Sequence, residues 1–151
     1  MKQTLFLLFL LSAVGLSAQQ ADSAPPVSTQ AGASDDAVAR VATEQLVAKY
    51  RLNADQAKQM YTIQMRKLRN LASIESLKTS DPARYRAKLQ SVQTGTLASI
   101  RRILQTKEQV AIFDETKVRT RNLQAEKRKE MMTQGASKEA IEAAVLEIFA
   151  E

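Results

Sequence analysis

The residues best equipped for chemistry in this chain are its cations. Arg66, Arg69, Arg101, Arg102, Arg119, Arg121, Lys127 and Arg128 carry fixed positive charge, and the planar arginine fork suits carboxylate and phosphate oxygens. Gathered on one side of a fold, they would form an anion-attracting surface, with neighbouring apolar groups supplying short-range adhesion. Long-range charge joined to soft apolar contact suits loose binding of unfolded or acidic chains. Scattered, they would only keep helix surfaces in water.

Bond-making chemistry has little to work with. The chain has no His and no Cys, which removes the usual nucleophile–base pairs and the commonest transition-metal ligands. A Ser–Lys pair is chemically conceivable, but no spacing singles one out. Asp114 and Glu115 are adjacent and diverge on a helix. Met60 and Met65 are five apart and do not stack on one face, and Met131 and Met132 diverge. There is no Gly-rich phosphate loop. The expectation is a non-enzyme with no cofactor and no metal.

A second pattern concerns structure. In Leu52-Asn53-Ala54-Asp55-Gln56, the Asn53 oxygen can accept from the N–H three residues on, and Gln56 can reach back to the Asn53 N–H. Thr106-Lys107-Glu108-Gln109 repeats the arrangement with Thr as the cap. Both are capping boxes, so a helix is predicted to start after each.

These starts divide an all-α chain. Met1–Ala18 reads as a cleavable export signal: Lys2, an apolar run from Leu5 to Leu11, then small residues ending at Ala18. Residues 19–34, with Pro25-Pro26 and little to bury, read as a flexible linker. A first helix is predicted from Asp36 to about Tyr50, capped by Ser34 or Asp35, with Val38, Ala42, Leu46 and Tyr50, and Val41 beside them, on its apolar face. The second starts after the Asn53 cap and runs to about Lys78, with Ala57, Met60, Tyr61, Ile63, Leu68, Leu71, Ala72 and Ile74 on a broad apolar half. Asp81-Pro82 starts a third, to about Leu104, with Tyr85, Leu89, Val92, Thr96, Ile100 and Ile103 inward. Arg84, Lys88 and Arg102 flank that stripe on one side, Arg86 and Arg101 on the other. The fourth starts at Thr106, either separately or as a bend in a helix continuous with the third. Its stretch Arg119–Glu130 is polar nearly all round, which suits projection into solvent or a partner. Gly135 suits a left-handed helix end, and Ser137 caps a last helix, Lys138–Ala150, with Glu139, Glu142 and Glu147 on an acidic face.

Charge is unevenly spread. Arg66–Glu130 holds sixteen Lys/Arg against seven Asp/Glu, a local +9, whereas Met131–Glu151 carries a local −3. A basic middle implies an anionic partner. Export makes nucleic acid the weakest choice and leaves acidic or unfolded proteins or an anionic envelope surface. The acidic last helix can fold onto the basic middle, although ordinary packing of Ile141, Val145 and Ile148 is reason enough for it to dock.

The paired capping boxes resemble the Leu-Thr-x-x-Gln motif of the Spy/CpxP-like periplasmic proteins, over roughly Val38 to Val118. Asn53 stands where the family has Thr, and Gln105 where the second copy would have Leu. The resemblance implies four to five amphipathic helices in long hairpins, an elongated or cradle-like shape and an antiparallel homodimer. It also implies ATP-independent chaperone or envelope-stress activity in the periplasm of a Gram-negative bacterium. The family's metal-binding branch uses His, which this chain lacks. The expected function is therefore an exported helical protein that binds unfolded or acidic clients. The alternatives are a module that binds anionic lipid or lipopolysaccharide, and a structural protein–protein interaction domain.

Overall fold

The computed structural model describes the backbone from Thr29 and side chains from Ser34, in both cases to Phe149. The expected export signal, Met1–Ala18, and linker residues 19–28 lie outside the described residues. Within them the chain forms six α-helices and no strand: α1 Thr29–Tyr50, α2 Ala54–Ile74, α3 Leu77–Ser80, α4 Pro82–Ile103, α5 Lys107–Thr133 and α6 Lys138–Leu146.

Several boundaries depart from the sequence expectation. α1 begins at Thr29, so residues 29–34 of the expected linker are helical. No proline lies between Pro26 and Asp36 to stop a helix there. The lone Gly32 costs only about 1 kcal/mol relative to Ala, which does not delay the start. Asp36, expected near a cap, is instead a tertiary anchor: its carboxylate accepts from Arg40 (2.7 Å) and from the Tyr61 hydroxyl of α2. The Arg40 hydrogen bond, followed by that from Tyr61, holds the Asp36 carboxyl below its ordinary range. α1 turns Ala39, Thr43, Leu46 and Tyr50 inward and leaves Val38 and Val41 about half exposed, at 49% and 55%. The inward face is thus one residue round from the predicted one at its N-terminal end.

α2 stops at Ile74 rather than near Lys78. There the backbone tightens to i→i−3 bonds, Glu75 N to Ala72 O (3.4 Å) and Lys78 N to Glu75 O (3.0 Å), which end the α-helical pattern. The single turn α3 fills the gap, and the Asp81 side chain then accepts from Arg84 N to start α4. α4 and α5 are separate helices, not one bent helix. Leu104 is extended (φ −76°, ψ 122°) between them. α5 continues unbroken through the polar stretch 119–130, and α6 ends at Leu146, short of the expected Ala150.

Two helix ends use the same left-handed geometry. Gly135 (φ +70°) ends α5, with Ala136 N donating to Met131 O (3.0 Å). Arg51 (φ +54°) does so after α1, with Leu52 N donating to Val47 O (3.0 Å). Both are Schellman closures. The second holds an arginine where glycine is the unstrained choice.

The packing order follows from these turns. α1 lies along α2, α2 along α4, and α6 folds back along α5 while also touching α4. The main core sits where the α1–α2 and α4–α5 turns meet, and joins Leu46, Tyr50, Leu52, Met60, Ile63, Ile100, Ile103, Leu104 and Phe113. Tyr50 and Phe113 meet with ring centroids 6.5 Å apart.

At the centre of that core the two capping boxes face each other. Both are fully formed, and Gln56 and Gln109 are 2% and 5% exposed. Each glutamine oxygen accepts from the backbone of its own turn: Gln56 from Asn53 N (3.0 Å), Gln109 from Gln105 N (2.9 Å) and Thr106 N (3.2 Å). Each NH2 donates to the opposite turn: Gln56 to Ile103 O (2.7 Å), Gln109 to Arg51 O (3.2 Å). The two amides also bond reciprocally at 3.0 Å. Leu104, one residue ahead of Gln105, is buried in the same core as Leu52; Gln105 is exposed.

Candidate binding surface

α2 and α4 run side by side, and the crevice between them is lined by cations. Arg66 of α2 donates to Ser99 Oγ of α4 (2.6 Å), and that hydroxyl donates to Gly95 O (2.7 Å). A hollow of about 330 Å³ opens here, bounded by Arg66, Asn70, Thr96, Ser99 and Arg102. It shares Asn70, Ser91 and Val92 with a second hollow of about 540 Å³, bounded also by Ser73, Ser76, Arg84 and Lys88. The two form one groove along the α2–α4 seam. Four cations line it, Arg66, Arg84, Lys88 and Arg102, and no carboxylate does.

The α4 register explains the groove. Arg84, Lys88, Ser91, Gly95, Ser99 and Arg102 recur every three or four residues, so one flank of the helix is cationic at both ends and small in the middle. A methyl at Gly95 would meet nothing within 4 Å, which shows how open the middle is. The inward stripe of Leu89, Thr96, Ile100 and Ile103 lies beside it. The cations that flank the α4 stripe on this side are those read from the sequence.

The expected single surface of eight cations is divided. Arg66 and Arg102 share the groove. Arg69 is exposed on α2, its Nε directed to its own Met65 O (3.4 Å), and does not line the groove. Arg101 is exposed one residue round α4, and Arg119 is exposed on α5. Arg121 joins Lys117 at a separate crevice between α4 and α5. Arg128 and Lys129 border a shallow hollow beside Met132 near the end of α5, and Lys127 pairs with Glu130 (3.0 Å). The reason is helical phase. Residues 101 and 102 are about 100° apart on α4, and α5 leaves its turn on a different course.

Arg84 and Lys88 lie outside the eight binding candidates, although their spacing to Arg102 marks them. Asn53, Gln56, Thr106 and Gln109 make the caps as read; Gln56 and Gln109 lie buried in the core, Asn53 and Thr106 are exposed at the helix starts, and none of the four lines the groove. Among the described residues there is no group of three or more His, Cys, Asp or Glu placed to hold a metal ion, and no helix long and apolar enough to cross a membrane. No protein-family model, no curated protein and no solved structure matches the chain.

Proposed function

We propose that this protein is an exported helical binding protein that holds acidic or unfolded polypeptides along the α2–α4 groove without ATP. The observation that carries this reading is the lining of that groove: four cations, small polar side chains, no carboxylate, and the half-buried apolar edge of Val92 and Leu77. An acidic segment is drawn in by charge over roughly a Debye length, about 10 Å at 0.1 M salt, and held by contact once there. The export half of the reading rests on the signal-like residues Met1–Ala18.

The test uses insulin reduced with dithiothreitol. The chain should slow its aggregation at low salt and lose much of that protection by about 1 M salt, where the Debye length is about 3 Å. R66E/R102E, which changes two exposed groups of the groove and leaves the core intact, should weaken protection about fivefold or more, an order set by reversing two contacting charges. Equal protection by wild type and variant would remove the groove from the account.

A second reading, contact with an anionic envelope surface, is favoured by the end of α5. There Arg128 and Lys129 flank Met132, which is 63% exposed, an arrangement suited to lipid headgroups with a shallow apolar insertion. Co-sedimentation with phosphatidylglycerol vesicles, lost on R121E/K127E/R128E, would support it.

A further inference from the structure

The α4–α5 crevice holds a piece of this chain in the manner of a bound peptide. Where α6 ends, Leu146 and residues 147–149 lie across it. Gln93 of α4 donates its side-chain amide to Leu146 O, and Gln124 of α5 donates to Ile148 O (3.1 Å). Both bonds read main chain, so they suit any segment of the same path. The side chains are read separately: Lys67 Nζ lies 4.5 Å from the centre of the Phe149 ring, and Glu147 pairs with Lys78 (3.7 Å). A cation over an aromatic face and a cation beside a carboxylate are both electrostatic selections.

The occupant does not fill the crevice. About 160 Å³ stays open beside Ile148 and Phe149, floored by Leu97 and bordered by Lys117 and Arg121, with no carboxylate in the lining. The occupant is also lightly held. Ile148 and Phe149 are only half-buried, and the Glu147–Lys78 pair is exposed on both sides, a kind of pair worth little in water. α6 itself is anchored upstream by Ile141 and Val145, so departure of residues 147–149 breaks the helix-end bonds Glu147 N to Ala143 O and Ile148 N to Val145 O, both long at 3.3 Å, and leaves that anchor in place.

We infer that this crevice is a binding site for short peptide segments in which an acidic residue precedes an aliphatic–aromatic pair, and that residues 147–149 are its resident, displaceable occupant. The site lies on the other flank of α4 from the cationic groove and does not rest on the function proposed above. A competing peptide sees the crevice only in the fraction of molecules whose own segment has left, so its apparent affinity is reduced by that fraction.

The experiment measures fluorescence anisotropy of a fluorescein-labelled peptide AVLEIFAE, the sequence of residues 144–151, against the full chain. I148A/F149A, which removes the resident side chains, should bind the peptide about tenfold tighter than wild type, as expected if the resident segment occupies the crevice about nine-tenths of the time. K117E/R121E added to that variant should reverse the gain. The peptide AVLEIAAE should bind about tenfold more weakly, the order expected for loss of a partly buried aromatic side chain. R66E/R102E should leave peptide binding unchanged, which separates this site from the α2–α4 groove. If I148A/F149A loses its helical circular dichroism, E147K takes its place: it repels Lys78 at the surface and should tighten binding in the same direction. Equal affinity of wild type and the tail variant, no binding to either, or indifference to K117E/R121E would each overturn the inference.

Discussion

At the scale of single residues, the paired amides Gln56 and Gln109 matter most. Each closes its own helix start and satisfies a carbonyl of the opposite turn, so removing one leaves buried groups unpaired on both sides. Q56A or Q109A should destabilise the chain by about 2–4 kcal/mol, combining a lost cap with unsatisfied buried partners. The double variant should lose less than the two single losses added, because the second change removes a group already left without its partner. Urea denaturation of the four proteins of the cycle measures this, and strict additivity would show that the amides do not act as a unit. The sequence displayed both caps. It did not display that they meet, because nothing local tells a turn which other turn it will touch.

Asp36 gives a pH signature at the same scale. Its carboxyl is held below the ordinary value by Arg40 and then by Tyr61. A carboxylate whose folded pKa is depressed contributes stability above its unfolded pKa, about 3.9, and loses it as pH falls through the folded value. D36N should therefore melt below wild type at about pH 6, with the gap closing toward about pH 3. A gap that widened on acidification would contradict the Asp36–Arg40–Tyr61 anchor. Glu130 and Glu139 are depressed as well, the first chiefly by Lys127 and the second chiefly by backbone hydrogen bonding at the start of α6. The comparison with D36N isolates Asp36 from them.

At the scale of elements, two glycines should respond with opposite sign. Gly95 lies inside α4 with open space where a methyl would go, so G95A should raise stability by about 0.5–1 kcal/mol through helix propensity. Gly135 ends α5 at φ +70°, so G135A should lower stability by about 1 kcal/mol or more through left-handed strain. Thermal melts of both variants check the pair. The sequence marked Gly135 as a terminator because it follows a polar helix and precedes a Ser cap. The α4 start was equally plain, set by Asp81-Pro82; whether α4 ended or only bent at the Thr106 box was open in the sequence, and the extended Leu104 decides it. Less legible were ends governed by weaker signals. α2 ended four residues early where its backbone tightened to i→i−3 bonds, and α1 started early because no proline after Pro26 stopped it. Val38 and Val41 looked like core and are half exposed, since Ala39 and Thr43 turn inward toward α2 instead. Periodicity fixes a face to within about one residue, and here that residue decided which side was buried.

At the scale of the molecule, the all-α class followed from scarce Gly and Pro and from amphipathic stripes that repeat along the chain. The distribution of charge among surfaces did not follow, because it depends on how the helices turn against one another. Arg66 and Arg102 come together only because α2 and α4 lie side by side. Arg121 is carried to another crevice because α5 leaves on its own course, with α6 against it. The division leaves one groove with four cations and no acid, and the proposed adhesion of acidic segments stands on that groove. Its most direct test is a 15N–1H correlation titration of the chain with poly-L-glutamate at low salt. Amide shifts should concentrate on Arg66–Ile74 and Arg84–Arg102, vanish as salt approaches about 1 M, and be absent in R66E/R102E. Shifts confined to α5, or of equal size in that variant, would contradict the account.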